Sequence, residues 1–265
     1  MFKRAFIFVL LGIFAIQGCQ KDELTKPAKV DFLFQMNPFE TEWADNTGEE
    51  ETDDENGEQA VTRTKSATAE NPFRNGNTPR SMAINQARLV ITAIEIDGKR
   101  EQGKDVFLAS DFDPPLEISL EGTNLNEQDV SFDLPQGVYN KLEILFRLGQ
   151  EDHPSMAFSG PVNSNAPGKV NFKFEYHPRE KIKTRAVKQN QTSESIAIDK
   201  SKKTSARIVV DAEYLFRNIT PNQLAESQVT NQAGGQSILV SNKNNTNIFG
   251  ALNNRLEKSI AVVFE

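Results

Sequence analysis

Few residues of this 265-residue chain carry side chains suited to catalysis or metal binding. Cys19 is the only thiol, and the two histidines, His153 and His177, stand far apart. A single thiol excludes an internal disulfide and a cysteine-based zinc cluster, and two distant histidines argue against a histidine-rich metal site. The chain also lacks the G-x-S-x-G, H-E-x-x-H and glycine-rich phosphate-binding motifs. We therefore expect no catalytic residue, no metal and no cofactor.

One short acidic cluster beside a histidine has the residue types of an acid–base or metal site. Glu151 and Asp152 precede His153, and both histidines stand immediately before a proline. Each histidine follows a predicted strand in a polar turn, which favours a solvated loop. Facing carboxylates for glycoside hydrolysis stay open, because only the fold can place two acids across a cleft. One Trp and three Tyr are few for a glycosidase, so a hydrolase is the least favoured function.

The first eighteen residues have the pattern of a secretory signal peptide. Lys3 and Arg4 form a positive start, and an apolar run of twelve residues follows from Ala5 to Ile16. That run is too short to span a bilayer, which takes about 20 apolar residues. Residues 1–18 are therefore predicted to be removed after export.

The sequence just before Cys19 resembles the lipobox of bacterial lipoproteins. Ile16 and Gly18 match the family at the third and first positions before the cysteine, whereas Gln17 replaces the commoner Ala or Ser. The resemblance implies that Cys19 is acylated and becomes the new N-terminus; the alternative is an incidental cysteine after an ordinary signal peptide. Acyl chains contribute ~0.8 kcal/mol per buried methylene, so two or more would anchor the protein without a membrane-spanning helix.

The residues after Cys19 resemble the export signal of Bacteroidota surface lipoproteins. Gln20, Lys21, Asp22 and Glu23 place a lysine followed by two acids close behind the cysteine. The resemblance implies a lipid-anchored protein of the outer membrane, exposed at the cell surface. The alternative is a generic charged tether, because a four-residue motif can arise by chance. In either case residues 19–28 are predicted to be a tether.

A first candidate strand follows this tether. Val30, Phe32, Phe34 and Met36 share one face at period two, which predicts a half-buried strand over residues 29–36. The strand would begin the folded domain if the segment behind it is an inserted loop. The alternative, a tether with an incidental apolar patch, would leave four apolar side chains exposed to solvent.

The range 37–80 is predicted to be an acidic, disordered loop or linker. The twenty residues from 40 to 59 hold ten acids and no Lys or Arg, and such a composition cannot bury enough apolar surface to fold. We expect this charge to lie near the membrane. A calcium site is disfavoured, because the alternating ligand spacing of a calcium loop is missing. The formal net charge of −7 also argues against nucleic acid as a partner.

A basic stretch between residues 169 and 207 carries eleven bases against four acids. Its central part, from Arg179 to Lys203, is poor in apolar residues and is predicted to be a long, partly mobile hairpin. The hairpin could bind an anion, such as an acidic polysaccharide or lipid phosphate; the alternative is a merely solubilising hairpin. The residues proposed for anion binding are Arg179, Lys181, Lys183, Arg185 and Lys188.

Residues 81–265 have a mainly β pattern. Segments such as Ala87–Ile96 and Val138–Leu148 are separated by Gly, Pro and Asn turns, which favours an antiparallel β-sandwich or barrel. One or two short helices are expected near the C-terminus, one capped by Thr220 and one spanning Ile248–Leu256. The range 81–265 is thus predicted to be one β-sandwich domain.

The segment from Asp133 to Ile144 resembles a hairpin of prealbumin-like (transthyretin-like) domains. A strand enters the turn Pro135-Gln136-Gly137, and Tyr139 begins the return strand. The resemblance covers about twelve residues. It implies a prealbumin-like, antiparallel β-sandwich and says nothing about a ligand.

These features together predict a non-catalytic, lipid-anchored protein of the cell envelope with an adhesive or ligand-binding role. The expected partners are the membrane, reached through Cys19, and a surface glycan or an envelope protein. A structural or accessory subunit of an envelope or pilus-like assembly is the alternative. A carboxylate-based hydrolase ranks third.

Overall fold

The computed structural model of the protein describes residues 25–43, 71–73, 78–149, 153–164, 169–189, 195–232 and 235–265. The strands are β1 (Pro27–Asn37), β2 (Phe39–Glu42), β3 (Pro79–Ile84), β4 (Gln86–Arg100), β5 (Val106–Glu121), β6 (Asn126–Pro135), β7 (Gly137–Leu148), β8 (Met156–Ser164), β9 (Val170–Tyr176), β10 (Lys181–Lys188), β11 (Ile196–Ile198), β12 (Thr204–Asp211), β13 (Thr230–Gln232), β14 (Gly235–Val240) and β15 (Ile260–Phe264). The helices are α1 (Ala212–Phe216), α2 (Pro221–Ala225) and α3 (Thr246–Leu256), the last followed by a 3₁₀ turn over Glu257–Ser259.

The strands form one mixed sheet that is curled into a half-barrel. Neighbours follow the order β13-β14-β9-β8-β4-β7-β10-β15-β12-β1-β6, with β2, β3, β5 and β11 attached at the side. The mainly β prediction is confirmed. The antiparallel prediction needs correction, because β1 with β12, β9 with β14 and β10 with β15 pair in parallel. Parallel partners are joined by long connections, so alternation within single strands does not reveal them.

β1 is an interior strand of this sheet. It pairs antiparallel with β6 on one edge and parallel with β12 on the other. Its inward side chains, Val30, Phe32, Phe34 and Met36, are completely buried. Each such burial contributes about 1.5–3 kcal/mol, which holds the strand in the folded body. The structure thus places the segment 29–36 inside the domain.

β10 joins the two halves of the curled sheet. Residues 181–185 pair with β7, whereas residues 186–188 pair with β15. β11 pairs with β7 as well, so the stretch between Arg179 and Lys203 is not the single hairpin that its composition predicts. Ile182 and Ala186 are buried and hold β10 in the sheet. Two apolar residues among many bases are too weak a signal to indicate a strand.

The strand axes define two ends of the molecule. At the proximal end β1 begins at Pro27. Its two neighbours in the sheet place the turn after β6 and the start of β12 beside it. The ends of β15 and β10 follow next to β12. β4 also ends there, since Arg100 pairs with Tyr139. At the distal end β4 begins at Gln86, and β1 and β12 end. The proximal end comprises residues 26–31, 99–105, 133–137, 188–189, 199–203 and 264–265.

Three helices cover the core at the distal end. In α2 the Thr220 hydroxyl accepts the Gln223 backbone N–H at 3.3 Å, and the Gln223 side chain accepts the Thr220 N–H at 2.9 Å. This capping box forms at the predicted position. α3 buries Ile248, Leu252 and Leu256, also as predicted. α1 is an additional helix, and its five residues are too few to show a helical period.

The distal core is built around one aromatic side chain. Phe216, the last residue of α1, is completely buried. Its ring centroid lies 5.4–6.4 Å from four other phenylalanine rings, those of Phe39, Phe158, Phe172 and Phe174. α1 is therefore held by its final residue, which enters a pocket made by the sheet.

Part of the range 37–80, predicted to be a disordered loop or linker, belongs to the fold. β2 pairs with β3, and the Trp43 N–H donates to the Arg80 carbonyl at 2.7 Å. Phe39 is buried, which explains why β2 is retained in the sheet. Residues 44–70 and 74–77, which contain most of the acidic segment, lie outside the described residues.

Asn71 fixes the far side of this range to α2. Its side-chain amide donates at 2.7–3.1 Å to the carbonyls of Leu224, Ala225 and Ser227. Its side-chain oxygen accepts the Phe73 N–H at 2.9 Å, and Phe73 is buried. Trp43 and Asn71 both lie at the distal end. The described chain therefore breaks off at Trp43 and resumes at Asn71, both far from the start of β1. The expectation that the acidic charge lies near the membrane falls on residues outside the described ones and stays a prediction.

The Pro135–Gly137 turn carries the chain across the sheet and does not close a hairpin. Among the described strands, β6 pairs with β1, whereas β7 pairs with β4, β10 and β11. The buried Tyr139 hydroxyl donates to the Pro135 carbonyl at 2.5 Å, an arrangement like the tyrosine corner of β-sandwiches. Burial raises the pKa of Tyr139 to about 12, although Arg100 nearby acts in the opposite direction.

Candidate functional site

The outer face of the sheet carries a groove near the distal end. Gln86 of β4 pairs with Ser159 of β8, and Ser159 pairs with Lys173 of β9, so the three form one row across the face. Glu121 extends the row onto β5. Two adjoining concavities of about 330 and 460 Å³ share the three central residues. We call this surface the distal groove; its polar lining is Asn85, Gln86, Arg88, Ser119, Glu121, Ser159, Asn171, Lys173, Gln236 and Ser237.

The floor of the distal groove is made of small residues on β8. Ala157, Ser159 and Gly160 lie between the longer side chains of β4 and β9. Gly160 also allows close packing beneath the groove, since a Cβ there would lie 1.9 Å from the Ala83 carbonyl oxygen. The combined volume falls in the range of small-ligand sites.

The two bases at the walls of the groove are neutralised by acidic partners, and Glu121 is the third charged residue of the lining. Arg88 contacts Glu117 at 2.8 Å, and Lys173 contacts Glu175 at 2.7 Å. Burial raises the pKa of Glu175, but Lys173 and His177 together outweigh burial, so the pKa of this carboxyl lies below its usual value. What remains for a ligand is a surface of amides and hydroxyls with one carboxylate, that of Glu121.

The chemistry of the distal groove suits binding more than acid catalysis. The Ser159 hydroxyl donates to the Gln86 side-chain oxygen at 3.1 Å, which orients the amide group at the centre of the row. Amides offer both donors and acceptors, as a hydroxyl-rich ligand requires. A general acid needs a raised carboxyl pKa, whereas the pKa of Glu175 beside the groove is lowered.

The five bases proposed for anion binding do not form one cluster. Lys181 and Lys183 lie on the outer face of β10, where Lys183 contacts Glu143 of β7 at 2.7 Å and Lys181 approaches Glu95 of β4 at 4.0 Å. The hydrogen bond from Lys183 lowers the pKa of Glu143.

Arg185 shares the outer face of β10 with Lys181 and Lys183, whereas Arg179 and Lys188 do not. Arg185 donates to the Asn140 carbonyl at 3.5 Å, and Arg179 precedes β10. Lys188 ends β10 at the proximal end, with strand parity opposite to Lys181 and Lys183. Lys181 and Lys183 face acidic neighbours, and Arg185 donates to a backbone carbonyl. These contacts make a shared anion site on β10 less favourable than the sequence alone indicates.

The histidines lie at the surface. His177 contacts Glu175 at 3.3 Å, and His153 is exposed, while Glu151 and Asp152 lie outside the described residues. Within the described part of the chain, no group of three or more His, Cys, Asp or Glu side chains is arranged to hold a metal ion.

The distal groove leaves no recognisable motif in the sequence. Its polar residues come from five strands and one connecting residue. Each strand contributes only one or two of them, so they form no sequence motif. The only local signal is a polar or small residue at alternate positions, for example Ala157 and Ser159 flanking the buried Phe158. That pattern is shared by every half-exposed strand.

Cys19 and the residues Gln20, Lys21, Asp22 and Glu23 lie outside the described residues, so their predicted roles stay predictions. In the described part of the chain, none of the helices combines the length and the apolar character needed to cross a membrane. Comparison with protein-family models, curated proteins and solved structures found no match.

Proposed function

We propose that the chain is a non-catalytic, lipid-anchored protein of the outer-membrane surface that binds a glycan in the distal groove. The position of the groove carries the proposal: it lies at the end of the molecule opposite to the start of β1. β4 connects the two ends with fifteen residues, or about 50 Å at 3.3 Å per residue. The anchor and the groove would then face in opposite directions.

The lining of the groove supports a glycan as the ligand. Gln86, Asn171 and Gln236 present side-chain amides, and Ser119 and Ser159 present hydroxyls. Paired amide and hydroxyl groups match the alternating donors and acceptors of a sugar. The prealbumin-like sandwich implied by the segment 133–144 stays part of this proposal, supported by the corner that Tyr139 makes with Pro135.

The ligand proposal is tested on glycan arrays with the purified chain. The double variant Gln86→Ala/Asn171→Ala removes two amides from the groove without touching the core. Because a neutral hydrogen bond contributes about 0.5–1.5 kcal/mol, we expect roughly tenfold weaker binding of any glycan that the unmodified chain captures. Titration of that glycan by calorimetry measures the loss.

The double variant Gln35→Ala/Asn140→Ala is the matched control, because both residues lie outside the groove. It should bind the captured glycan as the unmodified chain does. An array without any bound glycan, together with hydrolysis of a glycan substrate, would overturn the proposal.

The anchor is tested separately by Cys19→Ala. Without its thiol the chain has no atom for acylation at this position, so we expect it to leave the membrane fraction and appear in the soluble fraction. Cell fractionation followed by immunoblotting checks this outcome. A variant that stayed in the outer-membrane fraction would contradict lipid anchoring through Cys19.

A subunit of an envelope assembly is the second candidate, supported by one edge of the sheet. Among the described strands β5 pairs with β4 alone, so its other edge is open. In the first part of β5, residues 106–111, the Phe107 side chain is 67% exposed to solvent. An open strand edge can accept a strand from another protein. Crosslinking in cells distinguishes the two candidates, since an assembly subunit would give one dominant protein adduct that does not depend on glycan.

A further inference from the structure

Three lysines are exposed in one tight turn at the proximal end. Lys200, Lys202 and Lys203 lie between β11 and β12, and their side chains point into solvent. Asp199 builds the turn, because its carboxylate accepts the Ser201 backbone N–H at 2.9 Å and the Ser201 hydroxyl at 2.8 Å. The one acid of the turn thus holds its shape, and it also attracts Lys202 and Lys200 electrostatically.

The charged residues around this turn come from every element that ends there. Nine bases and six acids of the described residues lie at the proximal end. Lys29 is paired with Asp31 at 3.3 Å, and Glu265 is paired with Arg207. The bases are Lys26, Lys29, Lys99, Arg100, Lys104, Lys188, Lys200, Lys202 and Lys203, and the acids are Asp31, Glu101, Asp105, Asp133, Asp199 and Glu265.

The distal end is where the acidic segment is connected to the described fold. The segment of ten acids without a base, residues 40–59, joins the described fold at Trp43, and the chain is fixed again at Asn71. Both points lie at the distal end. The described residues of the proximal end hold nine bases against six acids, so an anionic surface attracts this end, and an uneven charge distribution orients a protein.

The predicted anchor places the proximal end next to such a surface. Seven residues lie between Cys19 and Pro27, and the eight steps from one to the other can span at most about 28 Å. Thermal motion within that radius brings the lysine turn repeatedly within a Debye length, about 8 Å at physiological salt, of the headgroups. Each base near an anionic leaflet favours the docked state roughly fivefold, so three act together roughly a hundredfold.

We propose that the proximal end docks through Lys200, Lys202 and Lys203 on the phosphate headgroups of the leaflet that holds the anchor. The inference rests on the proposed lipidation of Cys19 and adds an orientation to it. In the docked state the strands stand upright on the membrane. The distal groove then faces away from the cell.

The test uses the purified, lipidated full chain in vesicles of phosphatidylcholine with phosphatidylglycerol. Surface lysines are acetylated, and the rate at each one is read by mass spectrometry. We expect Lys200, Lys202 and Lys203 to react at least fivefold more slowly in these vesicles than in pure phosphatidylcholine or in high salt. Lys243 and Lys258, which lie outside the proximal end, should react equally in all three.

A charge-removing variant provides the second arm. Lys104 lies on another proximal turn and reports on docking without taking part in the substitution. In Lys200→Gln/Lys202→Gln/Lys203→Gln its protection should disappear, whereas Lys243→Gln/Lys258→Gln should keep it.

Each contrary outcome has a separate meaning. Equal acetylation of the proximal lysines in anionic and neutral vesicles, with the chain still co-floating with the vesicles, would overturn the docking inference alone. Protection that persisted in high salt would also overturn it, since headgroup attraction is screened. A chain that failed to co-float would contradict the lipid anchor itself and, with it, the docking.

Discussion

Replacing Phe216 by alanine is expected to lower the free energy of unfolding by about 3–5 kcal/mol, as is usual for buried phenylalanines. The ring is completely buried and contacts phenylalanines of β2, β8 and β9, so its removal leaves a cavity lined by side chains from separate strands. The sheet fixes those side chains, and the site can collapse little. Urea unfolding followed by the fluorescence of Trp43, the only tryptophan, measures the change.

Phe107→Ala is the matched control for Phe216. The Phe107 side chain is 67% exposed on β5, so its removal should change the stability by less than about 0.5 kcal/mol. Equal losses for the two variants would show that the distal aromatic cluster does not hold the fold together.

Gly160→Ala is expected to destabilise the protein by about 3 kcal/mol, at the upper end of the usual cost of overpacking. A Cβ at this position would lie 1.9 Å from the Ala83 carbonyl oxygen and 3.0 Å from the Ile84 Cα. Both neighbours are backbone atoms of the strand beside β8, so neither can rotate away. β8 and β3 must separate, which also deforms the floor of the distal groove. Thermal unfolding should show the lowered stability.

Gly250→Ala serves as the control for this substitution. No heavy atom lies within 4 Å of a Cβ at this position, which is exposed within α3. Alanine is a better helix former than glycine by about 1 kcal/mol, so this variant should be unchanged or slightly more stable. A Gly160→Ala variant as stable as Gly250→Ala would contradict the close approach of β8 and β3.

The parts of the fold that sequence could predict are those determined by local patterns. The alternation of Val30, Phe32, Phe34 and Met36 reveals β1, and Thr220 reveals the start of α2. Such signals require only neighbours along the chain. They identify elements, but they do not say which elements pair.

The pairing depends on contacts between distant residues. β1 and β12 are parallel neighbours although their paired residues, such as Val30 and Thr204, are far apart in sequence. The first part of β10 pairs with β7 and the last part with β15. No local sequence pattern predicts this change of partner. The predicted hairpin at Tyr139 illustrates the same point, because a Pro/Gly turn serves equally well to cross between sheet halves.

The residues of the distal groove could not be predicted from the sequence for a related reason. Gln86, Ser159 and Lys173 are ordinary outward residues until strand register aligns them. The end of the fold at which the described chain breaks off before the acidic segment was likewise hidden, since it depends on β1 running from the proximal to the distal end. Charge could be counted from the sequence, whereas its position relative to the anchor required the fold.

The interior position of β1 also determines how the molecule would carry mechanical force. A ligand held in the distal groove and a lipid anchor before Pro27 would pull in opposite directions along the strands. β1 is hydrogen-bonded along both edges, to β6 and β12, and these bonds lie across the direction of the pull. These hydrogen bonds are therefore loaded in shear. They share the tension and must break together, whereas bonds pulled along their own direction would break one after another.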